Sequence, residues 1–292
     1  MDFLTFHLIL AGLANGSLYA LVALGLVLIY KSQDVVNFAH GEILMCGAFI
    51  GYILLEELNL PYAVAFLLAV LAGGVLGALI ERLAFRRIAH HPHITLAMVT
   101  VGLSFALKGL SRIRFGMDIF TMPPMFAGRV VKVGSLAMSA QSVVIIGIAL
   151  ALTLLLFLFF RFTSMGKQMR ATQQNLTGAR IVGINTGAVF SITWALAAAV
   201  GAGAGVLAAP ISLLYPDMGT NYLLKGFAAA VLGGFGSVPG AIVGGYIVGV
   251  FEMLFGGYVS TAFQHTSAFC IIILVLFIRP YGLFGEKPVH RV

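Results

Sequence analysis

Three short stretches of the chain carry residue types able to do chemistry. In the first, Asn37-Phe38-Ala39-His40-Gly41-Glu42 sets an amide, an imidazole and a carboxylate at the start of an apolar run. Ionisable groups inside a membrane segment are costly and usually face a bundle interior or a wet cavity, which makes Asn37, His40 and Glu42 candidates for a translocation path. The alternative is a helix start at the membrane interface, with Glu42 beside the positive end of the helix dipole. His40 and Glu42 lie roughly 200° apart on a regular helix and so point different ways, unless Gly41 permits a break.

The second stretch, Gly233-Gly234-Phe235-Gly236-Ser237-Val238-Pro239-Gly240, looks at a glance like a phosphate cradle. The Lys-Ser/Thr pair of that motif is absent, so ATP binding by this route is not expected. Gly233, Gly234, Gly236, Ser237, Pro239 and Gly240 instead fit a turn between half-helices that presents backbone dipoles to a substrate. A packing kink, continued by the small residues Gly245 and Gly249, is the other reading.

The third stretch runs from Thr163 to Leu176. Thr163 or Ser164 can cap a helix on which Met165, Met169 and Leu176 share one side while Lys167, Gln168 and Gln174 point away. Such a helix either lies on the bilayer surface or docks in a protein groove. Elsewhere, Lys225 and Glu252 within apolar surroundings line a path, pair locally or snorkel. The sequence shows no metal-ligand spacing, Ser/His/Asp arrangement or carboxylate pair, so an intramembrane hydrolase has no visible nucleophile and base.

The elements that must position these residues follow from composition. Of 292 residues, 60% are hydrophobic and 9% charged, where a soluble domain carries roughly 25% charged residues. Seventeen Lys+Arg and ten Asp+Glu cannot clothe a soluble surface of that size. Thirty-five glycines suit close helix packing in a membrane, and segments of a β-barrel would alternate polar and apolar residues. The net charge of +7 lies mostly in short connections, without the aromatic interleaving of a nucleic-acid surface, so membrane lipid is the expected acidic neighbour. Cys46 and Cys270 sit in apolar segments and are expected to pack between helices.

A span needs about 20 apolar residues. Candidates are 7–30, 36–55, 60–80, 94–110, 141–160, 187–209, a stretch 222–255 broken by the glycine-rich turn, and 264–278. The first lacks a basic leader and a cleavage site and is expected to be retained. The expectation is an all-α polytopic membrane protein of about eight transmembrane helices plus a broken or re-entrant half-helix. Residues 1–292 read as a single transmembrane domain with a polar loop at about 161–186. That loop carries Arg161, Lys167, Arg170 and Arg180 without an acid, which places it in the cytoplasm, with the N-terminus outside and the C-terminus inside. The stretch 112–132 is also basic, and alternation forbids placing it inside as well.

Together, "GSLYALVALGLVLIY", "VNFAHGE", "MGKQMRATQQN…VGIN" and "AAAVLGGFGSVPGAIVGG" resemble the membrane permeases of branched-chain amino acid ABC importers, specifically the H-type subunit. The likeness is collinear from about Gly16 to Gly285. It implies a prokaryotic cytoplasmic membrane, a second related permease, two cytoplasmic ATPases that use ATP and Mg, and a periplasmic or extracellular substrate-binding protein, with no cofactor on this chain. It implies an ATPase-coupling role for Gly166, Lys167, Met169, Arg170, Ala171 and Asn175, of which Gly166, Arg170, Ala171 and Asn175 fall on recurrent positions. The NFAHGE stretch and the glycine-rich turn would lie near the path, and Lys225 falls where such permeases commonly carry a lysine. Gln264-His265 replaces a charged pair usual before the last span, and 112–139 follows no family pattern. A urea or short-amide importer shares these motifs, and a stand-alone channel or ion-coupled carrier would use His40, Glu42 or Glu252 as its ion site.

Overall fold

The computed structural model describes residues 3–88, 91–126, 128–133 and 136–285. In chain order these form α1 (Phe3–Gln33), α2 (His40–Tyr52), α3 (Tyr62–Ile80), α4 (Arg86–Ile88), α5 (His93–Phe115), a hairpin of β1 (Val130–Val133) and β2 (Leu136–Ser139), α6 (Ala140–Phe162), α7 (Ser164–Gln174), α8 (Leu176–Ile181), α9 (Thr186–Ser212), α10 (Met218–Gly233), α11 (Val238–Tyr258) and α12 (Ser267–Ile278). Six helical stretches among the described residues are long and apolar enough to cross a membrane: Leu4–Gln33, Tyr62–Ile88, His93–Phe115, Ala140–Phe162, Thr186–Ser212 and Val238–Tyr258. The protein is an all-α polytopic membrane protein. At 16 and 12 residues, α10 and α12 fall short of the roughly 20 that a full crossing requires, and the 13-residue α2 runs on only through the π-helical turn Ile53–Glu57.

The helices are not equivalent. The most apolar window of α1 is 89% buried and that of α9 78%, against 17% for α6 and 22% for α5. Thus α1 and α9 form the axis, wrapped by α2, α3, α10 and α11, while α5 and α6 face outward. Small residues set the spacing. Gly12 and Gly16 of α1 meet Gly245 and Gly249 of α11 so closely that a methyl group on Gly249 would lie 2.4 Å from the Gly16 Cα. Lipid gives helices no hydrophobic incentive to associate, so backbone approach of this kind supplies the packing energy instead. The expected small-residue face at Gly245 and Gly249 is therefore real and is aimed at α1.

Several boundaries differ from the sequence reading. The 94–110 span runs on to Phe115 because Arg112 pairs with Asp217 at 2.8 Å and Arg114 with Glu57 at 3.0 Å, so the basic residues stay helical. Part of the patternless 112–139 stretch is the antiparallel hairpin, with Val130 opposite Ser139. The single helix expected between Thr163 and Leu176 is two, divided at Asn175. Cys46 is half-buried in α2, whereas Cys270, expected to pack between helices, is exposed on α12.

Candidate functional site

The chain leaves α1 through Asp34, whose φ of 52° turns it sharply, and returns into the bundle without helical structure until His40. The Asn37 carboxamide oxygen accepts from the Ala39 N–H at 3.0 Å, and Thr100 Oγ1 accepts from the Phe38 N–H at 3.1 Å. These bonds satisfy irregular backbone that lipid would not tolerate. The non-helical entry expected at the glycine-rich turn is thus also found here, ahead of α2.

His40 and Glu42 leave α2 in different directions, and both are buried. The His40 ring lies in a cradle between α1 and α9, where a methyl group on Gly25 would come within 2.2 Å of Nε2 and one on Gly201 within 3.1 Å of Cε1. Glu42 Oε1 faces Lys108 of α5 at 3.2 Å. Lys108 also donates to Thr220 Oγ1 at 2.9 Å and lies 3.8 Å from Asp217, while a methyl group on Gly41 would strike the Gly219 carbonyl at 2.3 Å. The N-terminal ends of α2 and α10 therefore abut, with one lysine joining them. Asn37 Nδ2, both His40 ring nitrogens and Glu42 Oε2 are buried without a protein hydrogen-bond partner.

This cradle yields a test. Gly25→Ala forces a methyl group into the imidazole and is expected to cost about 1–3 kcal/mol, the usual range for overpacking. Gly25→Ala combined with His40→Ala is expected to recover most of that loss, read as thermal midpoints of purified protein in detergent.

A second polar group lies between α1, α10, α11 and the 3-10 turn Gln264–Thr266. Lys225 Nζ is 2.6 Å from Glu252 Oε1, 3.1 Å from the Tyr19 hydroxyl and 3.1 Å from His265 Nδ1, and the Tyr19 hydroxyl donates to Glu252 Oε2 at 2.7 Å. Of the readings left open for Lys225 and Glu252, local pairing is the one found, and the pair forms one wall of a cavity of about 410 Å³. The local sequence offered no signal that Tyr19 and His265 belong with them, because four separate elements supply the group.

The glycine-rich turn does not join either cluster. The Phe235 ring packs, tilted by 54°, against Tyr30 near the end of α1 with centroids 5.0 Å apart, and the tail folds beneath the turn, where the Leu283 and Phe284 N–H groups donate to the Leu232 and Gly233 carbonyls. Gly234, with φ 97°, closes α10, and Ser237 caps α11 by accepting from the Gly240 N–H at 3.0 Å, with Pro239 in the first turn. Gly233 and Gly240 are in backbone contact, while a methyl group on Gly236 would enter open space.

The polar loop between α6 and α9 is built for rigidity. Thr163 is the N-cap of α7, accepting from the Gly166 N–H at 3.0 Å, and a methyl group on Gly166 would collide with the Phe159 and Phe160 carbonyls. Met169 is buried, Ala171 half-buried, and Arg170 donates to the Phe160 carbonyl. Asn175 is extended and accepts from the Gly178 N–H at 2.8 Å, starting α8. Lys167, Arg170 and Gln174 are exposed. Most of the resemblance-implied coupling residues thus fix the helix in place, and Lys167 and Arg170 are the charges it displays. A groove of about 340 Å³ beside this loop brings together Lys31, His91, His93 and Arg180 with Thr172 and Gln173.

A family model described as the branched-chain amino acid transport system / permease component matches residues 8–278. The chain is 34% identical to the high-affinity branched-chain amino acid transport system permease protein LivH of Salmonella typhimurium, over 96% of each chain. The LivH protein of Escherichia coli K12 shows the same identity and coverage. BraD of Pseudomonas aeruginosa, named likewise as a high-affinity branched-chain amino acid permease protein, is 29% identical over 96% of each chain. No solved structure matches the chain.

Proposed function

The chain belongs to the branched-chain amino acid transport permease family, and from that membership we propose that it is the translocating subunit of an ABC importer for branched-chain or other hydrophobic amino acids. It is a transport component, and in this reading its energy comes from ATP and Mg on two partner ATPases rather than from a site of its own. A second related permease completes the path, and an external binding protein delivers the substrate. The whole chain works as one transmembrane domain, with 161–186 as the coupling loop, in the cytoplasmic membrane of a prokaryote.

The observation that carries this reading is the placement of the rigid helix α7 against the starting end of α9, with the cavity beside Lys225 at the other end, where Ser212 and Leu213 lie. At 27 residues, α9 separates the two by about 40 Å. A lever at one face and a receptacle at the other is what alternating access driven by an external motor requires, because movement at α7 must alter the energy of two bundle states. Arg82, Arg86 and Arg87 and the loop basics Arg161, Lys167, Arg170 and Arg180 gather at the α7 end, which supports a cytoplasmic α7, an outside N-terminus and an inside C-terminus. The NFAHGE stretch, at the meeting of α2 and α10, lines the path between the two ends, and the glycine-rich turn from Gly233 to Gly240 flanks it at the α7 end.

The experiment is co-expression with the neighbouring permease and ATPase genes, affinity purification through this chain, and leucine uptake in proteoliposomes. The expected result is a complex that leaves the membrane together and imports only with ATP and the binding protein. A chain that moves solute alone, without ATP, would overturn the proposal and make His40, Glu42 and Glu252 an ion path.

A further inference from the structure

The cavity bounded by α1, the α9–α10 connection, α10, α11 and the 3-10 turn has two features that a packing defect would not share. Its charged wall is a buried lysine and glutamate that neutralise each other, with Lys225 8% and Glu252 1% exposed. Its lining also includes the apolar side chains Ile211, Leu213 and Met218 and the ring of Tyr222. Leu213 adopts φ 57° and ψ 144°, a backbone region that side chains other than glycine rarely occupy. Strain of this sort persists only where the surroundings over-determine it, and it clusters at binding sites. The volume of about 410 Å³ falls within the range of small-molecule pockets.

The Lys225 ammonium has three N–H donors, and its three partners are Glu252, the Tyr19 hydroxyl and His265. The first two are buried and hydrogen-bonded to each other. His265 differs: its side chain is 77% exposed, yet Nδ1 lies 3.1 Å from Lys225 Nζ and 3.3 Å from Glu252 Oε1, beside the ion pair and touching both charges. It occupies a position where a cation-binding and an anion-binding atom are both within reach, and it is the one partner of the pair that solvent already surrounds.

We propose that this cavity is a binding site for an apolar α-amino acid in its zwitterionic form, whose carboxylate takes the Lys225 donor now facing His265 and whose ammonium takes Glu252 Oε1. His265 is the placeholder that the ligand displaces, and the apolar side chain lies against Ile211, Leu213 and Met218. The assignment rests on the reading of the chain as an amino acid permease. A zwitterion enters without changing the net charge of the interior, so the Lys225–Glu252 contact need not break and no uncompensated charge is buried. The cavity opens at the end of the bundle away from α7, the face where an importer meets arriving substrate.

The test uses the assembled transporter in proteoliposomes, with Cys46→Ala and Cys270→Ala to clear the background and His265→Cys to place a thiol at the mouth. L-Leucine is expected to slow labelling of that thiol by a charged maleimide, whereas L-leucinol, lacking the carboxylate, and 4-methyl-2-oxopentanoate, lacking the ammonium, are not. Adding Lys225→Met together with Glu252→Gln, which removes both charges at once, is expected to raise the half-protecting L-leucine concentration at least about tenfold, the loss expected for a charge-assisted contact. If that variant fails to assemble, the comparison of the three ligands on the native pair decides alone. ATP-driven leucine import without protection by leucine, or equal protection by all three ligands, would overturn the site and leave the permease reading standing. A complex that imports no amino acid would overturn the underlying reading.

Discussion

Lys108→Met is expected to destabilise the protein by about 3–5 kcal/mol, the usual cost of removing one partner of a buried ion pair. The loss does not come from the lysine's own contacts. Glu42 is 1% exposed, one of its oxygens faces Lys108 and the other has no protein partner, so the variant strands a carboxylate in the bundle interior. Asp217 keeps Arg112 and is little affected. Pairing Lys108→Met with Glu42→Gln is expected to restore most of the stability, because replacing both members of a buried pair by neutral groups is often close to neutral. The measurement is the thermal midpoint of the detergent-purified chain, followed by size-exclusion chromatography. A Lys108→Met protein as stable as its parent would mean that Glu42 does not depend on Lys108.

The second large effect is at α7. Arg170→Glu is expected to lower ATP-driven uptake at least about a hundredfold, the loss of two charge-assisted contacts of about 1.5 kcal/mol each, while leaving membrane insertion intact. In the isolated chain Arg170 donates to the Phe160 carbonyl and is otherwise exposed, so it both ties α7 to α6 and presents a cation outward. Lys167→Glu separates the two roles, because Lys167 is exposed and its side chain is not part of the α6–α7 junction. If α7 docks in an acidic groove of a partner ATPase, both variants lose co-purifying ATPase in proportion to lost uptake. Normal uptake by Arg170→Glu would remove the coupling assignment.

Much of this architecture was legible because it depends on local rules. Apolar length marked the long spans; Thr163 and Asn175, one a candidate cap and the other a family position, turned out to terminate or start helices through their own side chains; and glycine spacing at Gly245 and Gly249 announced a close-packed face. The Gly233–Gly240 turn was equally readable, since glycine and proline at that density interrupt any helix. The family resemblance followed from four such segments in order.

What composition and spacing could not supply was partnership across the bundle. Lys225 and Glu252 are separated by 27 residues and His265 and Tyr19 come from other elements, so whether they pair, snorkel or line a cavity depends on how α1, α10 and α11 pack. The same holds for Lys108, which read as one residue of an ordinary span until α5 brought it to Glu42. The sequence by itself determined that this is a multi-helix membrane permease with a capped helix in its polar loop, because membrane insertion and helix capping are decided within one segment. Only the tertiary structure decided that Glu42 and Glu252 each meet a lysine inside the bundle, the second pair beside a cavity, because a buried charge is tolerated only where a distant element delivers its partner.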